Sequence, residues 1–224
     1  MNCRFSIVPL LEEFPIHDYE ELVVITINIL SKSMKTNFLN KPKEIQEIEK
    51  DLSRWRLKFY PGGQSAVFGL KFELPKVLFP LIIKAYTKLN PIQLAYHAVT
   101  SKLFLEEFCG GITTKGKNYF IVPVKNVLLS YCEDLKAVFL VQNFSKGKVI
   151  DRSIPIAAIT KIIATKGFIV DPYPNNWRLI STLNINEPKI EYIDTMFSNK
   201  LFSSPAVKKL ITELKNLQYD CEIA

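Results

Sequence analysis

The sequence is poor in the residues that most often build metal sites and disulfide frameworks. Its 224 residues include only 2 histidines and 4 cysteines. The cysteines are far apart and form no C-x-x-C pair; they are Cys3, Cys109, Cys132 and Cys221. Zinc sites and disulfide-rich folds need closely spaced ligands or paired cysteines. We therefore predict no metal and no cofactor.

Motifs of the common enzyme classes are also missing. The chain has no P-loop, no G-x-G-x-x-G, no H-E-x-x-H and no G-x-S-x-G. His97 and Cys109 are twelve residues apart, about 18 Å along a straight helix, which is too far for a Cys–His pair. Glu106 and Glu107 stand near a helix end, where they mark either a site or a neighbouring lysine. We predict no catalytic residues and no enzyme; a site assembled from distant residues is the alternative.

Long apolar segments are absent too. The runs over residues 22–25 and 77–83 are interrupted and fall short of the roughly 20 residues that a membrane span needs. The first residues contain no apolar region of a secretory signal. We expect no transmembrane segment and a cytoplasmic or nuclear protein. Acylation of Cys3 is an alternative to an inert thiol.

An excess of positive charge is present. Lys and Arg number 29 against 22 Asp and Glu, which gives a formal net charge of +7 and a pI near 9.1. Hydrophobic residues make up 48 %, enough for a folded core. A basic folded protein suits an anionic macromolecule, either nucleic acid or an acidic protein.

The clearest pattern in the chain lies over residues 54–74. Basic and apolar residues alternate from 54 to 59, a turn follows at 61–63, and the alternation resumes over 68–74. Alternation with period two indicates a half-buried β-hairpin. One face would carry Arg54, Arg56, Lys58 and Lys71. These four cations predict that the face binds an anion. The alternative interpretation is a solvated face that is covered by the aliphatic stems of its lysines and arginines.

The remaining periodicity predicts an α+β fold with antiparallel β-hairpins packed against several α-helices. We expect helices over 42–52, 80–89, 90–108, 127–135, 156–165 and 206–217, and either a helix or a strand over 22–34. We expect strands over 3–11, 112–114, 118–124, 136–144, 148–154, 177–185, 189–193 and 219–223. The segments 136–144 and 148–154 would pair. No linker splits the chain, so residues 1–224 form a single domain, with a possible sub-boundary near Gly110 and Gly111.

Three further basic residues extend the candidate interface. Lys115 and Lys117 flank the turn of the second hairpin, and Arg178 follows a loop that contains Tyr173 and Trp177. An aromatic beside an arginine suits stacking on a base or on a partner's side chain. The alternative is a rigid loop with Trp177 in the core. Helices 80–89 and 90–108 followed by this hairpin also match the order of a winged helix, with the lysines on the wing.

Together these patterns predict a non-enzymatic binding or assembly protein. Its basic surface would face an anionic partner, most simply the backbone of a nucleic acid. A protein–protein interaction subunit or a toxin-neutralising, immunity-type protein is the alternative, and an enzyme of unknown class is the weaker one. The residues predicted to bind the anion are Arg54, Arg56, Lys58, Lys71, Lys115, Lys117 and Arg178.

Overall fold

The computed structural model describes residues 2–10, 57–60, 66–70, 81–86, 91–132, 137–182 and 187–198, together with positions 205, 208, 209, 212 and 219–222. The segments predicted over 22–34 and 42–52 lie outside the described residues. Two α-helices are described along their whole length, α1 (Pro91–Glu107) and α2 (Ile156–Thr165). Positions 205, 208, 209 and 212, in and next to the predicted last helix, are also helical.

Strands dominate the described residues. In chain order they are β1 (Asn2–Pro9), β2 (Leu57–Tyr60), β3 (Ala66–Leu70), β4 (Leu81–Tyr86), β5 (Ile112–Thr114), β6 (Lys117–Pro123), β7 (Asn126–Cys132), β8 (Ala137–Asn143), β9 (Lys148–Val149), β10 (Phe168–Ile169), β11 (Trp177–Thr182), β12 (Pro188–Tyr192), β13 (Phe197–Ser198) and β14 (Tyr219–Glu222). The mixed α and β class is confirmed, but the predicted helical share is too large within the described residues.

The chain divides into two compact units that alternate along the sequence. The first unit consists of Met1–Pro91, Asn126–Phe144 and Leu210–Ala224, and the second of Ile92–Lys125 and Ser145–Lys209. Gly110 and Gly111, the predicted sub-boundary, lie inside the second unit between α1 and β5. The single domain over 1–224 stays a prediction.

The first unit contains a seven-stranded antiparallel sheet in the order β14-β1-β7-β8-β4-β3-β2. The predicted hairpin forms its edge, with Leu57 paired to Leu70 and Phe59 paired to Phe68. The central strands bury side chains on both faces: Val127, Leu128 and Leu129 follow one another and are at most 3 % exposed. A sheet covered on both faces gives its strands continuous apolar runs without alternation.

Two predicted helices are wrong because their residues form such strands. Residues 80–89 contain β4 rather than a helix, and residues 127–135 contain most of β7. A short apolar run does not distinguish a buried helix from a buried strand by its period. Here the pairing of both segments with β8 selects the strand. The winged-helix interpretation therefore loses its first helix.

The predicted pairing of 136–144 with 148–154 is also wrong. β8 pairs with β4 and β7 in the first unit, whereas β9 pairs with β11 in the second. The loop 144–147 therefore joins two different sheets instead of closing a hairpin. Turn residues such as Ser145 and Gly147 identify a loop but not the strand partners on its two sides.

The second unit contains a five-stranded sheet in the order β5-β6-β12-β11-β9 and a separate β10-β13 pair. β6 and β12 run parallel, and the other neighbours in the larger sheet are antiparallel. One face of this sheet packs on α1 and α2. The shared core consists of Phe104, Phe108, Ile112, Tyr119, Ile121, Ile150, Ile156, Ile159, Ile163, Phe168, Trp177, Ile190, Tyr192 and Met196.

Candidate nucleic-acid interface

The excess positive charge of the chain belongs to the second unit. That unit contains 14 Lys and Arg against 7 Asp and Glu, and the first unit contains 15 of each. The formal net charges are therefore +7 and zero. Charge of one sign gathered on one unit attracts a polyanion more strongly than the same charge spread over the chain. The second unit is thus the place to look for an anionic partner.

Lys115 and Lys117 lie at the tip of the β5–β6 hairpin. The turn has two central residues, Lys115 with φ 50° and Gly116 with φ 73°, and Thr114 pairs with Lys117 to close it. Two successive positive φ values characterise the type I′ turn, whose twist matches that of the strands. Both lysines are exposed, and no carboxylate of a described residue lies within ion-pair distance of either. The hairpin therefore presents two cations to solvent.

Hydrogen bonds fix the base of this hairpin. The Asn118 side chain donates through Nδ2 to the Gly110 carbonyl at 3.0 Å, and the Thr113 hydroxyl donates to Asn118 Oδ1 at 3.3 Å. Gly111, with φ 82°, leaves room for this contact, because a Cβ there would stand 2.8 Å from Asn118 Oδ1. The lysines are thus carried by a hairpin whose base is tied to the end of α1.

Arg178 is less available than the sequence suggests. Its Nη1 donates to the carbonyls of Asn175 and Trp177 at 2.7 and 2.9 Å. Burial lowers the pKa of the guanidinium, and the carboxylate of Glu191, paired with it on β12, acts in the opposite direction. Arg178 is level with Val122 of β6, on the far side of the intervening strand β12. Lys117 lies on β6, five positions before Val122. The Cα atoms of Arg178 and Lys117 are therefore roughly 19 Å apart. The structure does not bring Arg178 and Lys117 together.

The loop before Arg178 is cross-linked by hydrogen bonds to Asp171, and its tryptophan belongs to the core. Trp177 is fully buried, and its indole nitrogen donates to the Asp171 carbonyl at 2.9 Å. The Asp171 carboxylate accepts hydrogen bonds from the Tyr173 backbone N–H and the Asn176 amide. The core position of Trp177, which was the alternative interpretation, is confirmed. Tyr173 remains 58 % exposed.

The other predicted anion-binding residues belong to the first unit. Lys58 lies on β2, at one edge of the seven-stranded sheet, where its backbone pairs with Gly69. Arg54, Arg56 and Lys71 lie outside the described residues. The predicted cationic face of the first hairpin therefore stays a prediction.

Lys189, which is not among the residues predicted from the sequence to bind the anion, lies beside Phe120 on the second unit's sheet. The two residues are directly paired across the parallel strands β6 and β12. We call this side the outer face; its half-buried residues are Asn118, Phe120, Val122, Arg178, Lys189 and Glu191. The alternation of Lys189, Ile190 and Glu191 is the signal that could have placed Lys189 on a polar face of the strand predicted over 189–193. No local signal identified the strand next to it.

The residues considered for catalysis have structural partners. His97 is buried, and its Nδ1 accepts the backbone N–H of Met196 at 2.9 Å, which ties α1 to the chain before β13. Lys166 Nζ lies 2.9 Å from Glu107 Oε1. A neighbouring lysine was one of the two interpretations of the acids at the end of α1, and Glu107 has one. We therefore assign neither His97 nor Glu107 to an active site.

No three His, Cys, Asp or Glu side chains among the described residues gather closely enough to hold a metal ion. No helix in the described part of the chain combines the length and the apolar character needed to cross a bilayer.

No protein family model matches this chain, and neither a curated protein nor a solved structure does.

Proposed function

We propose that this protein binds the phosphate backbone of a nucleic acid through its second unit, as a non-enzymatic binding or assembly protein of the cytoplasm or nucleus. The observation that carries the proposal is the charge of that unit, +7, beside a neutral first unit. Phosphate contacts by lysine and arginine supply most of the affinity in binding that does not depend on sequence. A surface with an excess of lysines suits this role.

Lys115, Lys117 and Lys189 form the centre of the proposed contact. Lys189 lies one strand away from Lys117 and three positions further along, so their Cα atoms are roughly 11 Å apart. Successive phosphates on one strand of a duplex advance by about 3.4 Å along the axis. Strand parity puts Lys117 and Lys189 on opposite faces of the sheet, because Lys117 alternates with Asn118 and Lys189 pairs with Phe120. The hairpin lysines and Lys189 therefore contact separate phosphates. The I′ turn keeps Lys115 and Lys117 in a fixed position, which reduces the entropy lost on binding.

Salt dependence tests the proposal. Binding of the full chain to fluorescent single-stranded and duplex oligonucleotides, measured by anisotropy, should weaken linearly on a logarithmic plot against salt. The double variant Lys115→Gln and Lys117→Gln should reduce the steepness of that plot by roughly 1.4 to 1.8, because two phosphate contacts are lost. The matched control is Lys102→Gln with Lys161→Gln, which removes the same charge from exposed positions on α1 and α2. The control should change the slope much less.

A flat salt response, or equal effects of the two double variants, would overturn the proposal. An acidic protein partner, in a complex subunit or an immunity-type protein, would then be favoured. One observation supports that second candidate: Val149 and Ile180 are 53 % and 40 % exposed, and Val149 pairs directly with Arg178. Exposed apolar residues around an arginine are common at protein interfaces. A complex that survives nuclease treatment on size exclusion would identify this case.

A further inference from the structure

The outer face of the second unit's sheet carries an aromatic ring that the core does not use. Along β6, buried and half-buried residues alternate, with Tyr119 and Ile121 at 3 % and 2 % exposed on the helix side. Phe120 points the other way because successive strand residues face opposite sides. Among the described residues, the ring contacts of this unit join Phe104, Phe108, Phe168, Trp177 and Tyr192. Phe120 takes part in none of them.

The nearest charged neighbour of Phe120 on the outer face is Lys189, which is paired with it directly on β12. Lys117, at the start of the same strand as Phe120, has the opposite parity and belongs to the other side of the sheet. Glu187 and Glu191 lie two positions to either side of Lys189, and Glu191 is paired in register with Arg178 and level with Val122 rather than with Phe120. The ring therefore stands beside one lysine, between neighbours that are uncharged along its own strand, Asn118 and Val122.

We propose that this face binds single-stranded nucleic acid and that an unpaired base stacks on Phe120 while Lys189 contacts the adjoining phosphate. The inference rests on the proposed function and adds the strand state and the stacking residue. Aromatic side chains on a sheet surface stack on unpaired bases, and a flanking basic groove follows the backbone. Bases inside a duplex do not offer a free stacking face to such a ring, whereas a single strand does. Charge complementarity with the unit selects this ligand over a neutral apolar one.

The test compares the full chain and Phe120→Ala on a single strand of about 12 nucleotides and on its duplex. We expect Phe120→Ala to weaken binding of the single strand by about 5- to 100-fold, because one stacked base is lost. Duplex binding and both salt slopes should stay as they are. Phe120→Leu, which keeps an apolar side chain but removes the ring, should show the same loss. The matched control is Tyr173→Ala, which removes an exposed aromatic of the loop before β11 that is not on a strand of the outer face, and which should leave single-strand affinity unchanged.

A direct readout uses Phe120→Trp. This variant should keep the single-strand affinity, and the fluorescence of the new indole should be quenched by the single strand but not by the duplex. Circular dichroism and thermal melting check that each variant is folded. An equal loss of single-strand and duplex affinity in Phe120→Ala, or no loss in either, overturns the inference. If oligonucleotide binding is nevertheless steeply salt-dependent, the proposed function stands without this inference. If the full chain binds no oligonucleotide, both the proposed function and this inference fail.

Discussion

The two units use their sheets in opposite ways. In the first unit, the central strands bury residues on both faces, and the formal charge is balanced. In the second unit, β6 and β12 alternate between buried and half-buried residues, and the unit carries the whole excess of positive charge. A strand that is enclosed on both sides contributes to stability alone, whereas one with a half-buried face can also carry binding residues. The comparison therefore directs the search for function to the second unit.

The largest expected effect tests whether the two units unfold together. Phe139→Ala in the first unit and Phe104→Ala in the second each remove a ring that is at most 1 % exposed. Each should lower the free energy of unfolding by about 3–5 kcal/mol, because burial is lost and a cavity is left. In denaturant titrations followed by circular dichroism, a single domain would show one transition that both variants shift. Two transitions, each shifted by one variant, would contradict the single domain and separate the units in energy.

A smaller effect is expected from a polar pair inside the first unit. Gln142 Nε2 donates to Asn126 Oδ1 at 2.8 Å, and both residues are buried. Gln142→Met keeps a similar volume but leaves the Asn126 oxygen without that donor, which should cost about 1–3 kcal/mol. Adding Asn126→Leu should restore part of the loss, because no buried acceptor then remains. Losses that simply add, measured by the same titrations, would show that this hydrogen bond is not what stabilises the pair.

The smallest expected effect concerns the lysine hairpin of the second unit. Gly116→Ala places a Cβ at φ 73°, where an L residue is strained by about 1 kcal/mol, although no neighbour lies within 4 Å. Gly110→Ala is the matched control, since its surroundings are equally open and its φ is not positive. Thermal melting should show a lower Tm for Gly116→Ala than for Gly110→Ala. Equal Tm values would mean that the hairpin tip contributes no strain to the fold.

Local signals predicted the elements that end in turns or caps. Pro155 before α2 and Gly167 after it, the latter with φ 81°, bounded the predicted helix over 156–165 correctly. The β5–β6 hairpin was predicted from the turn around Gly116 and is present. At these positions the backbone preference of one residue decides the structure, so the sequence is sufficient.

The failures fall where distant segments decide the structure. β4 and β7 have the composition of buried helices, and only their pairing with β8 makes them strands. The candidate site has the same difficulty, because Lys189 acquires its position beside Phe120 through a parallel pairing between segments far apart in the sequence. Parallel neighbours need a crossover connection, which leaves no short turn to indicate their register.

The pairing of β1 with β14 has a consequence for synthesis. Asn2 pairs with Glu222 and Phe5 with Tyr219, so one edge of the first strand is completed by nearly the last residues described. At translation rates of about 5–20 residues per second, β14 leaves the ribosome roughly 10 to 40 s after β1. During that interval the exposed edge of β1 is open to strands of other nascent chains. This edge of β1 therefore has no pairing partner of its own until β14 has emerged.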